Sequence, residues 1–332
     1  MKRPLPGATL AALSLVGLGL TGCSAFSSTS STGSDDGELT VVTSLYPLQY
    51  VAERIAGDHA TVTNLVRPGQ EPHDLELSPA ETGQVLDADL VVYESGFQAP
   101  MDDALEQGGD IPTVDVAETV DLLPATEDEH DHEHAEGEEH ADGDEHAEGE
   151  EHAEHDHEHG EFDPHFWHDP KRVADVADAV ADQLAEVDPD HASTYEDNAA
   201  DLRGDLEQLD EELSTGLADC QRSTVVVSHN AFTYLAQYGL EFEPIAGLSP
   251  DAEPTPATLG ELHHLIEEDG LTTVFTERLV SPRIADQLAK DAGVKTAVLD
   301  PIEGLTDETA GEDYLSLMRA NLSALKTANG CR

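Results

Sequence analysis

Short apolar runs alternate with segments of helical spacing along this chain, in two separate series. In the first series we predict strands at residues 39–44, 61–66, 90–93 and 111–116 and helices at 47–56 and 79–88. In the second series we predict strands at 224–228, 240–245, 273–275 and 295–299 and helices at 231–238, 256–268, 282–292 and 312–326. Strands that are separated by helices of about ten residues indicate a parallel sheet within an α/β layer.

Two further helices are predicted between the two series. Asp169-Pro170 has the cap-then-proline order that is typical of a helix start. After Pro189, apolar residues recur at alternating spacings of three and four from Ala192 to Leu213. This stripe predicts a helix of about thirty residues, roughly 40 Å long, with one buried face. The predicted fold class is therefore α/β, with two α/β lobes, each with a mainly parallel sheet, bridged by one long helix.

The segment before the first predicted strand has the features of an export signal and a tether. Lys2 and Arg3 precede an apolar run at residues 8–20, and the following Leu-Thr-Gly-Cys ends at Cys23 and resembles the bacterial lipobox. We predict a lipoprotein signal peptide over residues 1–22, lipidation at Cys23 and a flexible tether over 23–38. The protein is then expected to be extracytoplasmic and lipid-anchored to the cell membrane. An ordinary secretory signal with an incidental cysteine is the alternative.

The chain has three cysteines. Once Cys23 is assigned to lipidation, Cys220 and Cys331 remain as an even pair in a compartment where disulfides persist. We predict a disulfide bond between them, and two free buried thiols are the alternative.

The charge balance argues against partners with a negatively charged surface. The chain carries 71 acidic and 15 basic residues, a formal net charge of −56. Such a chain is repelled by phosphate backbones and by anionic lipid head groups. We therefore expect no nucleic-acid partner and no electrostatic attachment to membranes.

Residues 127–161 form a low-complexity tract with 18 acidic residues and no lysine or arginine. It contains a six-residue repeat of the type EHAEGE and nine histidines: His130, His132, His134, His140, His146, His152, His155, His157 and His159. A segment this polar buries too little apolar surface to fold, so we predict a disordered loop. Imidazoles beside carboxylates favour weak accessory binding of several metal ions, and a solvated spacer is the alternative.

The remaining histidines divide into two groups. His59, His191, His263 and His264 are predicted to be surface residues. His73, His165 and His229 instead lie in loops next to strand or helix ends, where α/β proteins place ligands. Zinc takes imidazole and carboxylate ligands in a tetrahedral arrangement. Asp300 and Glu303, after the last predicted strand, are the candidate carboxylates.

Several motifs together resemble a known family, the zinc-uptake solute-binding lipoproteins of ABC transporters. The resemblance covers nearly all of residues 39–327 and lies in TSLYPLQYVAERIAGD, PGQEPHDLELSP, DPHFWHDP, VVSHNAFTYLAQYGL, GLSPDAEPTP and LDPIEGLT. It implies two lobes bridged by a rigid long helix, with the metal in the inter-lobe cleft.

The same resemblance implies a ligand set. By position, His73, His165 and His229 match the three histidine ligands, and Glu303 is favoured over Asp300 as the fourth. Relatives that prefer manganese or iron tend to carry Glu at the position of His229, so this residue favours zinc.

Two further residues near these motifs remain open. Glu71 is a candidate helper beside the metal site rather than a ligand. His168 replaces the apolar or small residue that many relatives carry after DPHxW, which leaves an accessory contact open.

The implied function is capture of Zn²⁺ and its delivery to the permease and ATPase of an ABC transporter, by a monomer. A manganese- or iron-binding transporter component and a surface-anchored zinc buffer or adhesin are the alternatives. A zinc hydrolase is disfavoured, since it keeps an open coordination position and a general base. The expected organisation is an N-terminal lobe over 39–168, which includes the tract, a helical linker over 169–218 and a C-terminal lobe over 219–332.

Overall fold

The computed structural model describes residues 39–125 and 162–332. The predicted lipidation site at Cys23 and the histidines of the acidic tract lie outside these ranges. Within them, none of the helices combines the length and apolar character needed to cross a membrane.

The first lobe is built on a four-stranded parallel sheet. Its strands are β1 (Leu39–Thr43), β2 (Ala60–Asn64), β3 (Leu90–Tyr93) and β4 (Thr113–Asp115), in the order β2-β1-β3-β4. Its helices are α1 (Tyr46–Ala56), α2 (Pro79–Leu86), α3 (Ala99–Gly108) and the single turn α4 (Val116–Thr119). Helix α2 begins with a capping box between Ser78 and Glu81.

The second lobe repeats this plan. Its strands are β5 (Thr224–His229), β6 (Glu241–Ala246), β7 (Thr273–Thr276) and β8 (Lys295–Val298), all parallel and in the order β6-β5-β7-β8. Its helices are α7 (Pro256–Glu268), α8 (Arg283–Ala292) and α9 (Tyr314–Asn329). The predicted fold class, two α/β lobes with parallel sheets, is confirmed.

Two helices connect the sheets, α5 (Pro170–Val187) and α6 (Ala192–Leu217). Asp169 caps α5 by accepting a hydrogen bond from the backbone N–H of Lys171. Helix α6 has 26 residues, about 39 Å at 1.5 Å per residue. The predicted stripe is its buried face from Tyr195 to Leu213, whereas Ala192 is partly exposed. It packs against α5, α1 and α9, so it contacts helices of both lobes.

Apart from the single-turn helix α4 and short 3₁₀ turns, which were not predicted, the structure departs from the predicted elements in two places. Helix α3 was not predicted, because Met101 and Ala104 are its only buried residues and give almost no periodic pattern. The predicted helix at 231–238 is a 3₁₀ helix at Thr233–Tyr238, which ends at Gly239 in the left-handed conformation.

The largest core cluster includes residues of both lobes. Trp167, Tyr195 and Tyr314 are among its fully buried side chains. The Tyr314 hydroxyl donates a hydrogen bond to the backbone carbonyl of Trp167 at 2.5 Å, which fixes the DPHFWHDP turn against α9. The predicted disulfide is also present and joins Cys220, just after α6, to Cys331 near the chain end.

Candidate metal centre

Four of the predicted site residues converge on one point. His73, His165, His229 and Glu303 each offer one ligand atom, and these atoms all lie within 4.8 Å of one another. The Nε2 atoms of His73, His165 and His229 lie 3.4, 3.2 and 3.3 Å from Oε1 of Glu303. Three nitrogens and one carboxylate oxygen thus face a common centre, which is the donor set that suits tetrahedral zinc.

The first lobe contributes two of these side chains from short turns. His73 lies in a 3₁₀ turn, Pro72–Asp74, which follows β2 and begins with a proline at its first position. Its backbone N–H donates to Oε1 of Glu71 at 3.1 Å. His165 directly precedes the 3₁₀ turn Phe166–His168, and its backbone N–H donates to Oδ1 of Asp163 at 3.0 Å. Both imidazoles are therefore held by local backbone geometry.

The second lobe contributes the other two from strand ends. His229 is the last residue of β5, and Glu303 lies in the loop between β8 and α9. Because the strands of this sheet are parallel, their carboxyl ends meet at one edge, where open α/β sheets bind ligands.

Two buried carboxylates orient the imidazoles from behind. Oδ1 of Asp163 lies 2.7 Å from Nδ1 of His165, and Oε1 of Glu277 lies 2.7 Å from Nδ1 of His229. Each carboxylate accepts the Nδ1 proton and leaves Nε2 free to bind a metal. Sequence analysis missed both residues. The one available indication was that Glu277 directly follows β7, at the same edge of the sheet as His229.

Burial and the neighbouring charges determine the protonation of the site. His165, His229 and Glu303 are at most 1% exposed. Burial works against ionisation of Glu303, but its contacts with the imidazoles outweigh burial and hold its pKa well below the usual value. Burial also disfavours the charged form of His229, yet the Glu277 carboxylate outweighs it and raises the pKa of His229 well above its usual value.

The other two imidazoles shift in opposite directions. For His165 the lowering effect of burial is outweighed by Asp163, and its pKa is raised. The pKa of His73 is lowered, chiefly by burial. The Glu303 carboxylate is therefore ionised, and the neighbouring carboxylates favour the protonated forms of His165 and His229.

The alternative fourth ligand, Asp300, does not belong to this group. Its Oδ2 accepts a hydrogen bond from Nε of Arg278 at 3.0 Å, and its Oδ1 accepts from the backbone N–H of Ile302 at 2.9 Å. The carboxylate is thus already engaged on the second lobe, which leaves Glu303 as the carboxylate that faces the histidines.

Glu71 and His168 lie close to the centre but outside the group of four. Within the described ranges, Oε2 of Glu71 has no hydrogen-bond partner, and burial, followed by the charge of Glu303, raises the pKa of this residue to about 8. His168 is fully buried, with neither ring nitrogen hydrogen-bonded to a described residue. Its ring centroid lies 4.9 Å from that of Phe232. Burial, with the nearby charge of His165, lowers its pKa to about 3, so it is neutral.

The four histidines predicted to lie at the surface are all at least partly exposed. His59 stacks on His191 with ring centroids 3.9 Å apart, and Nδ1 of His264 lies 3.6 Å from Oε2 of Glu268 in α7. Neither pair belongs to the convergent group.

Two lobes joined by a long helix, with three imidazoles and a carboxylate that converge from both lobes, are the features of a metal-binding protein of the two-lobe class. The chain belongs to the ZnuA family, described as the zinc-uptake complex component A, periplasmic, whose model matches residues 41–328. The resemblance found in the sequence motifs is thereby confirmed.

Known relatives agree with this membership. The zinc-binding lipoprotein AdcA of Streptococcus pneumoniae R6 is 37% identical over 299 residues, which cover 88% of this chain and 56% of AdcA. This chain therefore spans little more than half the length of that relative. The high-affinity zinc uptake system protein ZnuA of Bacillus subtilis is 34% identical over 310 residues, 92% of each chain.

A solved structure shows the same fold. The Zn(II)-bound ZnuA-like domain of Streptococcus pneumoniae AdcA superimposes with a TM-score of 0.70 at 34% identity. The alignment covers 88% of this chain and 99% of that domain.

Proposed function

We propose that this protein is the extracytoplasmic zinc-binding component of a zinc-uptake ABC transporter, which captures Zn²⁺ and delivers it to the permease. The observation that carries the proposal is the convergence of three Nε2 atoms on one carboxylate oxygen at 3.2–3.4 Å. The relatives that are named as zinc-binding or zinc-uptake proteins support it.

His73, His165, His229 and Glu303 are the proposed zinc ligands. Four protein donors fill a tetrahedral shell and leave no open position for an activated water, which supports binding rather than catalysis. Three nitrogens and one oxygen also favour Zn²⁺ over Mn²⁺, in both ligand type and affinity order.

A competition titration tests the proposal. In the full chain, competition with a zinc chelator of known affinity distinguishes zinc bound at the tight site from zinc bound at weaker sites. We expect one tight equivalent in the wild type and a loss of at least about 100-fold in affinity in His229→Ala, because one of four donors is removed. His264→Ala is the matched control, since His264 is exposed and contacts Glu268. Wild-type affinity in His229→Ala, or displacement of Zn²⁺ by equimolar Mn²⁺, would contradict the assignment.

We further propose that the protein is lipid-anchored through Cys23 and acts as a monomer with a permease and an ATPase. The lipobox-like motif and the lipoprotein name of AdcA support the anchor. Intact-mass measurement of protein extracted from membranes checks it: the wild type is expected to carry a lipid mass increment that Cys23→Ala lacks. A wild-type mass without lipid would reject the anchor.

A further inference from the structure

The loop that carries Glu303 is held by the first lobe. Three alternate carbonyls of this loop, at residues 301, 303 and 305, accept hydrogen bonds from first-lobe donors. The pairs are Trp167 Nε1 to Pro301 O at 2.7 Å, Tyr46 N to Glu303 O at 3.2 Å and Gly69 N to Leu305 O at 2.7 Å. The loop belongs to the second lobe in sequence, so the bonds from Tyr46 and Gly69, which follow β1 and β2 of the first lobe, can form only while the lobes are together.

Asp300 fixes the same loop to the second lobe. Its backbone N–H donates to Oδ1 of Asn321 at 2.9 Å, and its carbonyl accepts from Nδ2 of Asn321 at 2.6 Å. Its side chain accepts from Arg278 and from the N–H of Ile302. The start of the loop is therefore anchored to α9 through Asn321, and the Asp300 side chain holds the turn at Ile302.

Ile302 lies in the left-handed backbone region between these two sets of bonds. Its φ is 61°, and it is the one non-glycine residue with a positive φ among residues 39–125 and 162–332. It is fully buried and directly precedes Glu303. For a β-branched residue this conformation is strained and persists only where the surroundings enforce it.

We infer that Asp300 and Ile302 are positioning residues that form a strained turn, which aims Glu303 at the three imidazoles only while the lobes are closed. The inference rests on the proposed zinc-binding function. When the lobes separate, the carbonyls at 303 and 305 lose their first-lobe donors. Ile302 then relaxes, and Glu303 withdraws from the metal. The stored strain thus favours zinc release on opening.

Two substitutions at one position isolate the strain. Ile302→Ala and Ile302→Gly both remove the buried side chain, but only alanine retains the Cβ that disfavours a positive φ. If the turn relaxes in the open, zinc-free state, closing the lobes costs less free energy in the glycine variant than in the alanine variant. We expect it to bind Zn²⁺ about three- to tenfold more tightly than the alanine variant and to release it more slowly. Chelator competition gives the affinity, and stopped-flow transfer to a chelator gives the dissociation rate.

A double-mutant cycle tests whether Asp300 acts through Glu303. Asp300→Ala is expected to weaken zinc binding about tenfold in the wild-type background and to have no further effect in Glu303→Gln. A purely structural role would give additive losses. If Asp300→Ala does not fold, Asp300→Asn replaces it in the cycle. This variant tests the charge pair with Arg278 alone, because asparagine keeps an acceptor for the N–H of Ile302.

The outcomes separate this inference from the proposed function. If the wild type fails to bind zinc tightly, the proposed function itself is wrong. If the wild type binds zinc but Ile302→Ala and Ile302→Gly bind it equally well, or the cycle is additive, the strained turn is overturned and the zinc site stands.

Discussion

His165 and His229 each lie between two carboxylates, one at each ring nitrogen. Nδ1 of His229 lies 2.7 Å from Glu277, and its Nε2 lies 3.3 Å from Glu303. His165 has the same arrangement with Asp163 and Glu303. In the zinc-free protein these carboxylates favour the protonated imidazolium, whereas zinc requires the neutral ring at Nε2. Zinc therefore has to displace protons from these two residues.

We expect zinc affinity to keep rising as the pH increases above about 6.5, the ordinary histidine pKa. The sign follows from the raised pKa values of His165 and His229, which retain their protons above that pH and compete with zinc until they are lost. His73 has a lowered pKa and does not compete in this range.

Chelator competition from about pH 6 to pH 9 measures this trend, and calorimetry in buffers of different ionisation enthalpy counts the released protons. The zinc-free protein is expected to lose stability over the same range, because the native state binds the extra protons. An affinity that is flat above pH 7 would show that these imidazoles are already neutral.

The carboxylates behind the imidazoles give a second prediction. Glu277→Gln and Asp163→Asn retain an oxygen that accepts the Nδ1 proton but remove the negative charge. We expect each to weaken zinc binding about 10- to 100-fold at pH 8, because a ligand loses basicity when its supporting carboxylate is neutralised.

Glu268→Gln is the control for this pair, since it neutralises a carboxylate beside an exposed histidine of α7. Affinity equal to that of the wild type in Glu277→Gln would mean that the Glu277 charge contributes nothing to the site.

At the scale of elements, helices and strands with a strong periodic pattern are predicted from the sequence, whereas elements with a weak pattern are missed. Strand β3 and helix α7 have the predicted bounds, since apolar runs and a proline start mark them clearly. Glu277 could not be singled out, because one acid after a strand resembles the other 70 in the chain. Its contact with His229 joins residues 48 positions apart and depends on the pairing of β5 with β7.

The disulfide acts between elements, where it joins the end of α6 to the end of α9. We expect the double variant Cys220→Ser/Cys331→Ser to lose about 2–5 kcal/mol of unfolding free energy, since the bond closes a long loop in the unfolded chain. Zinc affinity should change little, because His229 lies at the far end of β5, about 17 Å from the start of the strand at 3.3 Å per residue.

Denaturant unfolding measures the loss, and alkylation followed by intact-mass analysis of the wild type without reductant checks the bond. Two alkylated thiols would contradict it. Each single serine variant should match the double variant, because either change alone removes the bond.

At the scale of the whole molecule, the described segments that flank the acidic tract lie side by side next to the site. Pro124 and Phe162 form an isolated antiparallel bridge, and the N–H of Asp163 donates to the carbonyl of Leu123 at 2.8 Å. The hydroxyl of Tyr234 joins the same two segments, accepting from Leu123 N at 2.9 Å and donating to Asp163 O at 2.7 Å. The turn that carries His165 is thus fixed by the described residues on both sides of the tract.

This geometry predicts the effect of removing the tract. Deletion of residues 128–161 leaves three residues between Pro124 and Phe162, a length that closes an antiparallel pair. We expect the deletion to leave thermal stability and the tight zinc site unchanged, because all four proposed ligands and both supporting carboxylates lie outside it. The weaker zinc equivalents should disappear with its histidines.

Calorimetric titration of both forms measures the stoichiometry of zinc binding. A full-length variant in which the nine histidines are replaced with asparagine separates metal binding from loop length. An unchanged stoichiometry would reject a metal role for the tract, and loss of the tight equivalent would show that the tract contributes to the main site.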